Sequence, residues 1–293
     1  MRQILLIGKD GQLGQELLPI LASTGEVKSV GRESLDLANP EAIAKIVADV
    51  KPNLIINAAA YTAVDKAESQ KELAIAINGT APGILAKQAA EIGATLIHVS
   101  TDYVFDGSQS HPYLETDPTQ PLGAYGESKL AGEKAILETQ ANAAIVRTAW
   151  VYGVGGKGNF VKTMLRLGAD REELRVVCDQ VGSPTWTGDL AEAIVQLSDN
   201  INSETTGIYH YTNSGVTSWY DFAVAIFEEA KQLDFPLKIQ RVVPISTSEY
   251  PTPARRPAYS VLNTKKISAI LGTHPPHWRQ SLRKMLSELA TQG

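Results

Sequence analysis

Tyr125 and Lys129, in the run Tyr125-Gly126-Glu127-Ser128-Lys129, have the types and spacing to do chemistry together. Four positions apart near the start of a helical stretch, they share one helix face. A phenol titrates near ~10 and is a weak acid–base group at neutral pH. An adjacent ammonium favours the phenolate and lowers that value. Such a pair can pass a proton to a carbonyl oxygen as hydride reaches the carbon. Taken alone, the pair reads equally well as a surface helix contact of little weight. Thr101 changes that. In Ser100-Thr101-Asp102-Tyr103 it closes an apolar run, and ligands of open α/β sheets bind at the carboxyl ends of strands. A hydroxyl there could hold the carbonyl beside Tyr125.

A hydride source is suggested by Gly8-Lys9-Asp10-Gly11-Gln12-Leu13-Gly14, a G-x-x-G-x-x-G run after the apolar residues 4–7. Glycines at this spacing allow a tight turn, close backbone approach to a pyrophosphate, and close helix–strand packing. The following helix N-terminus then faces the phosphates with its partial positive charge. An ordinary strand–turn–helix could also carry glycines; the flanking strand and helix favour a dinucleotide. The expected cofactor is NADPH, with NADH as the alternative. The end of the second strand reads Val30-Gly31-Arg32-Glu33, with no acid directly after it for a ribose hydroxyl. Arg32 could pair with a 2′-phosphate, whereas Glu33 lies one residue further on. Asp36 and Leu37 could bracket the adenine.

The elements that must position these residues alternate. Strands are expected over residues 4–7, 27–30, 54–57, 95–100 and 144–148, and helices over 13–22, 70–92 and 124–137. Asn39-Pro40-Glu41 starts a further helix, with Asn as N-cap and Pro at the first helical position. This rhythm implies βαβ units: an α/β fold with a Rossmann-type doubly wound parallel sheet and a smaller C-terminal α/β domain. Residues 1–148 are assigned to NAD(P) binding. Residues 149–293 are assigned mainly to substrate binding, with segments returning to the sheet. Pro184, Pro236, Pro244, Pro251, Pro253 and Pro257 break up this second half, and residues 247–257 are expected to form a long ordered loop.

Composition narrows the function classes. The chain has 293 residues, 43% hydrophobic and 20% charged, enough to bury a sizeable core. A net charge of -5 argues against nucleic-acid binding. The apolar run at the N-terminus is too short for a signal peptide or a membrane span, so no membrane partner and a cytoplasmic location are expected. The single cysteine, Cys178, permits neither an internal disulfide nor a cysteine metal cluster, and is expected to be a small buried residue.

With these motifs assembled, the chain resembles the extended short-chain dehydrogenase/reductase family. Within it the likeness is to the branch that reduces the 4-keto group of nucleotide-linked deoxysugars. It extends through Asn57-Ala58-Ala59-Ala60-Tyr61-Thr62-Ala63-Val64-Asp65-Lys66-Ala67-Glu68, Ser100 to Phe105, Arg147 to Tyr152, Asp179 to Thr185 and Thr252 to Pro257. The resemblance implies NAD(P)H-dependent reduction of dTDP-4-dehydro-L-rhamnose at C4, the last step of dTDP-L-rhamnose synthesis. It implies that Tyr125 is the proton donor, Lys129 its pKa-lowering partner and Thr101 the carbonyl-binding hydroxyl. Gly8, Gly11, Gln12, Leu13, Gly14, Arg32, Asp36, Leu37, Ala58, Ala59, Ala60, Tyr61 and Thr62 would form the cofactor site with Tyr125 and Lys129. Asp102 and Trp150 would contact the sugar. The resemblance also raises a homodimer as the candidate assembly; Glu16 and Asp189 are taken as surface carboxylates, and no metal is expected. One departure is Arg256-Pro257-Ala258-Tyr259-Ser260, which carries Tyr259 where the family often has Asn.

Other functions on this fold remain open at this stage. A dehydratase needs an Asp-Glu pair after the Thr, and here Tyr103 follows Asp102. A reductase of another nucleotide-linked 4-keto sugar is one alternative; a 4-epimerase, another, would retain its cofactor through the cycle. A non-catalytic NADP-binding regulatory subunit would not need Thr101, Tyr125 and Lys129 intact.

Overall fold

The computed structural model describes residues 2–291. Its first half runs β1 (Gln3–Ile7), α1 (Gln12–Ala22), β2 (Glu26–Val30), α2 (Pro40–Val50), β3 (Leu54–Asn57), α3 (Val64–Ala67) and α4 (Lys71–Ile75). A π-helical turn over Ala76–Thr80 leads into α5 (Ala81–Ile92), β4 (Thr95–Thr101), α6 (Ala124–Leu137) and β5 (Asn142–Thr148). The second half contains β6 (Val151–Tyr152), α7 (Phe160–Asp170), β7 (Glu173–Val177), β8 (Val181–Gly182), β9 (Thr185–Trp186) and α8 (Thr187–Ser198). It ends with β10 (Gly207–His210), β11 (Thr217–Ser218), α9 (Trp219–Gln232), β12 (Arg241–Ile245), α10 (Lys265–Leu271) and α11 (Trp278–Thr291).

Six parallel strands form the main sheet in the order β10-β5-β4-β3-β1-β2. Runs such as Leu54-Ile55-Ile56 are buried throughout, as a strand covered on both faces requires. Residues of alternate sides feed two cores. Leu6, Ile56 and Val146 pack with α1 and α8, joined by Ile267 of α10. Leu5, Ile55 and Ile145 pack with α2 and α5. The strand order reverses between β1 and β3, and ligands bind in the crevice at such a switch point. Thus α8, β10 and α10 return to the first half. A third core, built on α7, α9, α11 and β7, includes Phe222, Ile226, Trp278 and Leu282.

Asn39 caps α2 by accepting from Ala42 N at 3.1 Å, with Pro40 in the first turn, as its sequence dictates. The helix expected over 70–92 is interrupted by the π turn, which inserts an extra residue per turn and turns Asn78 inward. Apart from a 3-10 turn over Thr247–Glu249, residues 247–257 form an irregular loop. Cys178 is exposed rather than buried, just past the end of β7. No helix among the described residues is long and apolar enough to cross a membrane.

Candidate active site

The glycine run forms the turn from β1 into α1. Gly8 has φ +95°, a conformation that side chains rarely adopt. A Cβ on Gly8 would stand 2.8 Å from Ala59 N, and one on Gly14 only 2.1 Å from Gly8 O. The run therefore lies tightly against the loop after β3, on both sides of the switch point. Gly11 caps α1 through its backbone alone, and no acid occupies the first turn. That leaves the positive end of the helix available to a phosphate. These features fit a dinucleotide.

Other expected cofactor residues divide by side-chain direction. Leu13 and Leu37 are buried in the cores, so only their backbones remain for a ligand. Gln12 accepts from Asn159 Nδ2 at 2.7 Å, tying the glycine turn to the N-cap of α7. Asp36 caps its own turn by accepting from Ala38 N at 2.9 Å. Arg32 is exposed just beyond β2. The sequence reading missed Asp10, whose carboxylate packs against Gly31: a Cβ there would lie 1.7 Å from Asp10 Oδ2. An acid therefore does reach the end of β2, but from the glycine turn.

Ala58, Ala59, Ala60, Tyr61 and Thr62 form the loop after β3. Asn78 anchors that loop: it accepts from Tyr61 N at 2.8 Å and donates to Tyr61 O at 3.0 Å. Its amide also donates to Ser128 Oγ at 3.0 Å, and Ser128 Oγ donates to Tyr125 O at 2.7 Å. One buried asparagine on the π turn thus couples the loop to the helix carrying Tyr125. π bulges recur at functional sites for this kind of re-aiming.

Thr101 ends β4 and Tyr125 is the second residue of α6. The two strand ends are in register, with Thr101 opposite Thr148 of β5. Thr101 Oγ1 donates to Asp102 Oδ1 at 2.9 Å and accepts from Tyr103 N at 3.2 Å. Tyr125 packs edge-on to Tyr103, centroids 5.4 Å apart. Burial pushes the Tyr125 phenol up to about 12, opposed by the Thr101 hydroxyl and reinforced by the charge of Asp102. Lys129 makes no hydrogen bond to that phenol in this structure. The Lys129 amine instead reaches the β4 backbone, donating to Val99 O at 2.7 Å and lying 3.2 Å from His98 Nε2. Burial lowers Lys129 to about 8, against the carboxylate of Glu133.

On the expected sugar side, Asp102 is buried and its Oδ2 has no hydrogen-bond partner in the structure. Burial raises its carboxyl to about 6, opposed by the Ser260 and Thr101 hydroxyls near it. Trp150 has φ +48° and stacks on Trp219, centroids 3.5 Å apart. A Cβ on Gly182 would come within 2.6 Å of the Trp150 ring. Arg256 pairs with Asp65 at 3.0 Å, joining the loop at 252–257 to the segment after β3. Tyr259 is half-buried, its ring centroid 6.4 Å from that of Tyr113. Asp189 is not the surface carboxylate expected: it is buried, accepting from Asn213 Nδ2 at 2.6 Å and from Ser281 Oγ.

Known proteins share this fold over the full chain. The RmlD substrate binding domain family matches residues 1–291. The dTDP-4-dehydrorhamnose reductase of Escherichia coli (strain K12) is 48% identical over 296 residues, covering 98% of each chain. A dTDP-4-dehydrorhamnose reductase of Clostridium acetobutylicum superposes with TM-score 0.91 at 42% identity, covering 98% of this chain and 99% of that one. That of Bacillus anthracis, solved in complex with NADP, superposes with TM-score 0.90 at 37% identity and the same coverage. With its glycine turn, strand-end threonine and Tyr/Lys helix on that shared fold, this chain belongs to the RmlD substrate binding domain family.

Proposed function

We propose that this protein is an NADPH-dependent oxidoreductase that reduces the C4 keto group of dTDP-4-dehydro-L-rhamnose to give dTDP-L-rhamnose. The observation that carries the proposal is the placement of Thr101 at the carboxyl end of β4, with the Tyr125 ring packed on Tyr103 two residues on, at the same end of the sheet as the glycine turn after β1. The full-length likeness to reductases of that name supports the substrate.

In this mechanism the Thr101 hydroxyl and the Tyr125 phenol hold the C4 carbonyl oxygen. When bound, the dihydronicotinamide supplies the hydride to C4. Tyr125 gives its proton to the oxygen as negative charge develops there. Burial keeps the phenol protonated at neutral pH, so the donor is loaded before the substrate arrives. Lys129, one helical turn on, stabilises the phenolate and returns a proton. Asp102 and Trp150 orient the sugar. Residues 1–148 bind the cofactor, and most of residues 149–293 bind the substrate. The proposed location is the cytoplasm and the proposed assembly a homodimer, which sedimentation tests.

The reaction is tested by mixing NADPH or NADH with dTDP-4-dehydro-L-rhamnose and following loss of reduced nicotinamide. Stoichiometric oxidation with dTDP-L-rhamnose as product supports the proposal. Substrate conversion without net oxidation would indicate an epimerase, and no conversion with cofactor bound would indicate a binding subunit.

A further inference from the structure

Behind the Tyr/Lys pair lies a buried polar chain that the mechanism above does not use. Asn57 ends β3, and His98 sits inside β4 opposite it in register. Both side chains are shielded from solvent, as is Lys129. Asn57 Oδ1 accepts from Ala59 N at 3.2 Å, which fixes the orientation of its amide. Its Nδ2 therefore faces His98 Nδ1, at 3.1 Å, and donates to it. A neutral imidazole that accepts at Nδ1 carries its proton on Nε2. That N–H points at Lys129 Nζ, 3.2 Å away. An ammonium has three donors and no lone pair, so it has nothing to accept this N–H with. A neutral amine does: it can accept from His98 while donating to Val99 O.

We propose that Asn57 and His98 form a dock for the neutral amine of Lys129, making Lys129 an efficient proton donor to the spent Tyr125 phenolate. Asn57 and His98 are positioning residues, acting through Lys129. The Tyr125 O–H bond breaks as the substrate oxygen takes its proton. A Lys129 N–H bond breaks as the Tyr125 O–H bond re-forms. The amine then turns to His98 Nε2–H, which donates a hydrogen bond without transferring its proton. A solvent proton restores the ammonium. Burial holds His98 well below the ordinary imidazole range, aided by the charge of Lys129, so it stays neutral throughout. The other ionisable groups around the chain are Glu133, one turn beyond Lys129 and paired with Arg147 of β5, and Asp102 beyond Tyr125.

This inference rests on the reductase reading of Tyr125 and Lys129. Two measurements test it, one free of any substitution. Nitrogen NMR of the folded wild-type protein, labelled in its histidines, should show His98 protonated at Nε2 and bare at Nδ1 from neutral to mildly alkaline pH. A proton on Nδ1 would overturn the dock. The second measurement is the pH dependence of kcat. Loss of the ammonium at high pH should give a basic limb, set by burial, Glu133 and the His98 N–H together. The H98L variant has no N–H to offer the amine, so it should move that limb up by about one pH unit, the scale of one lost hydrogen bond. H98Q should leave the limb at its wild-type position. Its amide can accept from Asn57 and donate to Lys129 in the same order. An unmoved limb in H98L, or equal movement in both variants, would overturn the proposal. K129M separates the two levels. If it loses turnover while the H98L limb stays put, the dock fails and the reductase site stands. If K129M turns over normally, the role of Lys129 itself is wrong.

Discussion

The guanidinium of Arg147 meets the carboxylate of Glu133 at 2.6 Å with both side chains withdrawn from solvent. Ser100 Oγ donates to the same carboxylate. One ion pair thus ties α6, which carries Tyr125 and Lys129, to β4 and β5. Breaking a buried pair from one side leaves an uncompensated charge, which costs about 3–5 kcal/mol. Arg147→Met should lower stability on that scale in urea unfolding. The double variant Arg147→Met, Glu133→Leu should recover much of the loss, since apolar replacement of both partners is far milder. Equal stability of the single variant and the wild type would mean that the pair is not what anchors α6.

Gly14→Ala places a methyl group 2.1 Å from the carbonyl of Gly8. Backbone cannot yield there without moving the turn. Overpacking of this kind typically costs about 1–3 kcal/mol. The variant should melt earlier and bind NADPH more weakly in calorimetric titration. Unchanged affinity would remove the glycine turn from the cofactor site.

Arg32 and Asp10 set opposing charges beside the end of β2. Arg32→Ala should weaken NADPH about tenfold or more, the scale of a charged hydrogen bond, while leaving NADH nearly unaffected. Asp10→Asn should favour NADPH by removing a like charge from the 2′-phosphate. Direct binding titrations with both cofactors check this. Equal losses for NADPH and NADH in Arg32→Ala would exclude Arg32 from the 2′-phosphate.

Asp102 is raised to about 6, chiefly by burial, so its carboxyl is neutral below that pH and charged above it. If the carboxylate accepts from a sugar hydroxyl, KM should rise as pH falls through about 6, and Asp102→Asn should abolish that dependence. The sign for stability is opposite. Between the ordinary value of 3.8 and about 6 the folded state holds more protons than the unfolded. Stability from this group therefore falls as pH rises through that window. A KM independent of pH in the wild type would remove Asp102 from the sugar contacts.

Much of this arrangement is legible in the sequence because local patterns dictate it. Continuous apolar runs mark β1, β3 and β4, and Asn39-Pro40 marks the start of α2. The Tyr/Lys helix has the bounds its pattern suggests. What escaped depends on tertiary direction. A one-residue π insertion leaves no trace in an alanine-rich helical stretch, so Asn78 was invisible as an anchor. His98 reads as core within an apolar strand, and only the register with Asn57 places an amide donor against its Nδ1. Asp189 looks like a surface acid until Asn213 and Ser281 are seen to enclose it. Spacing put Lys129 on the face of Tyr125, but not its amine against Val99 O.

The most direct test of the central claim is single-turnover reduction of dTDP-4-dehydro-L-rhamnose by Tyr125→Phe, with NADPH binding measured on the same sample. Loss of the phenolic proton should slow the chemical step by about 10²–10⁴, the usual scale of general acid catalysis, with cofactor affinity retained. Near wild-type turnover in Tyr125→Phe would contradict the assignment of Tyr125 as the proton donor.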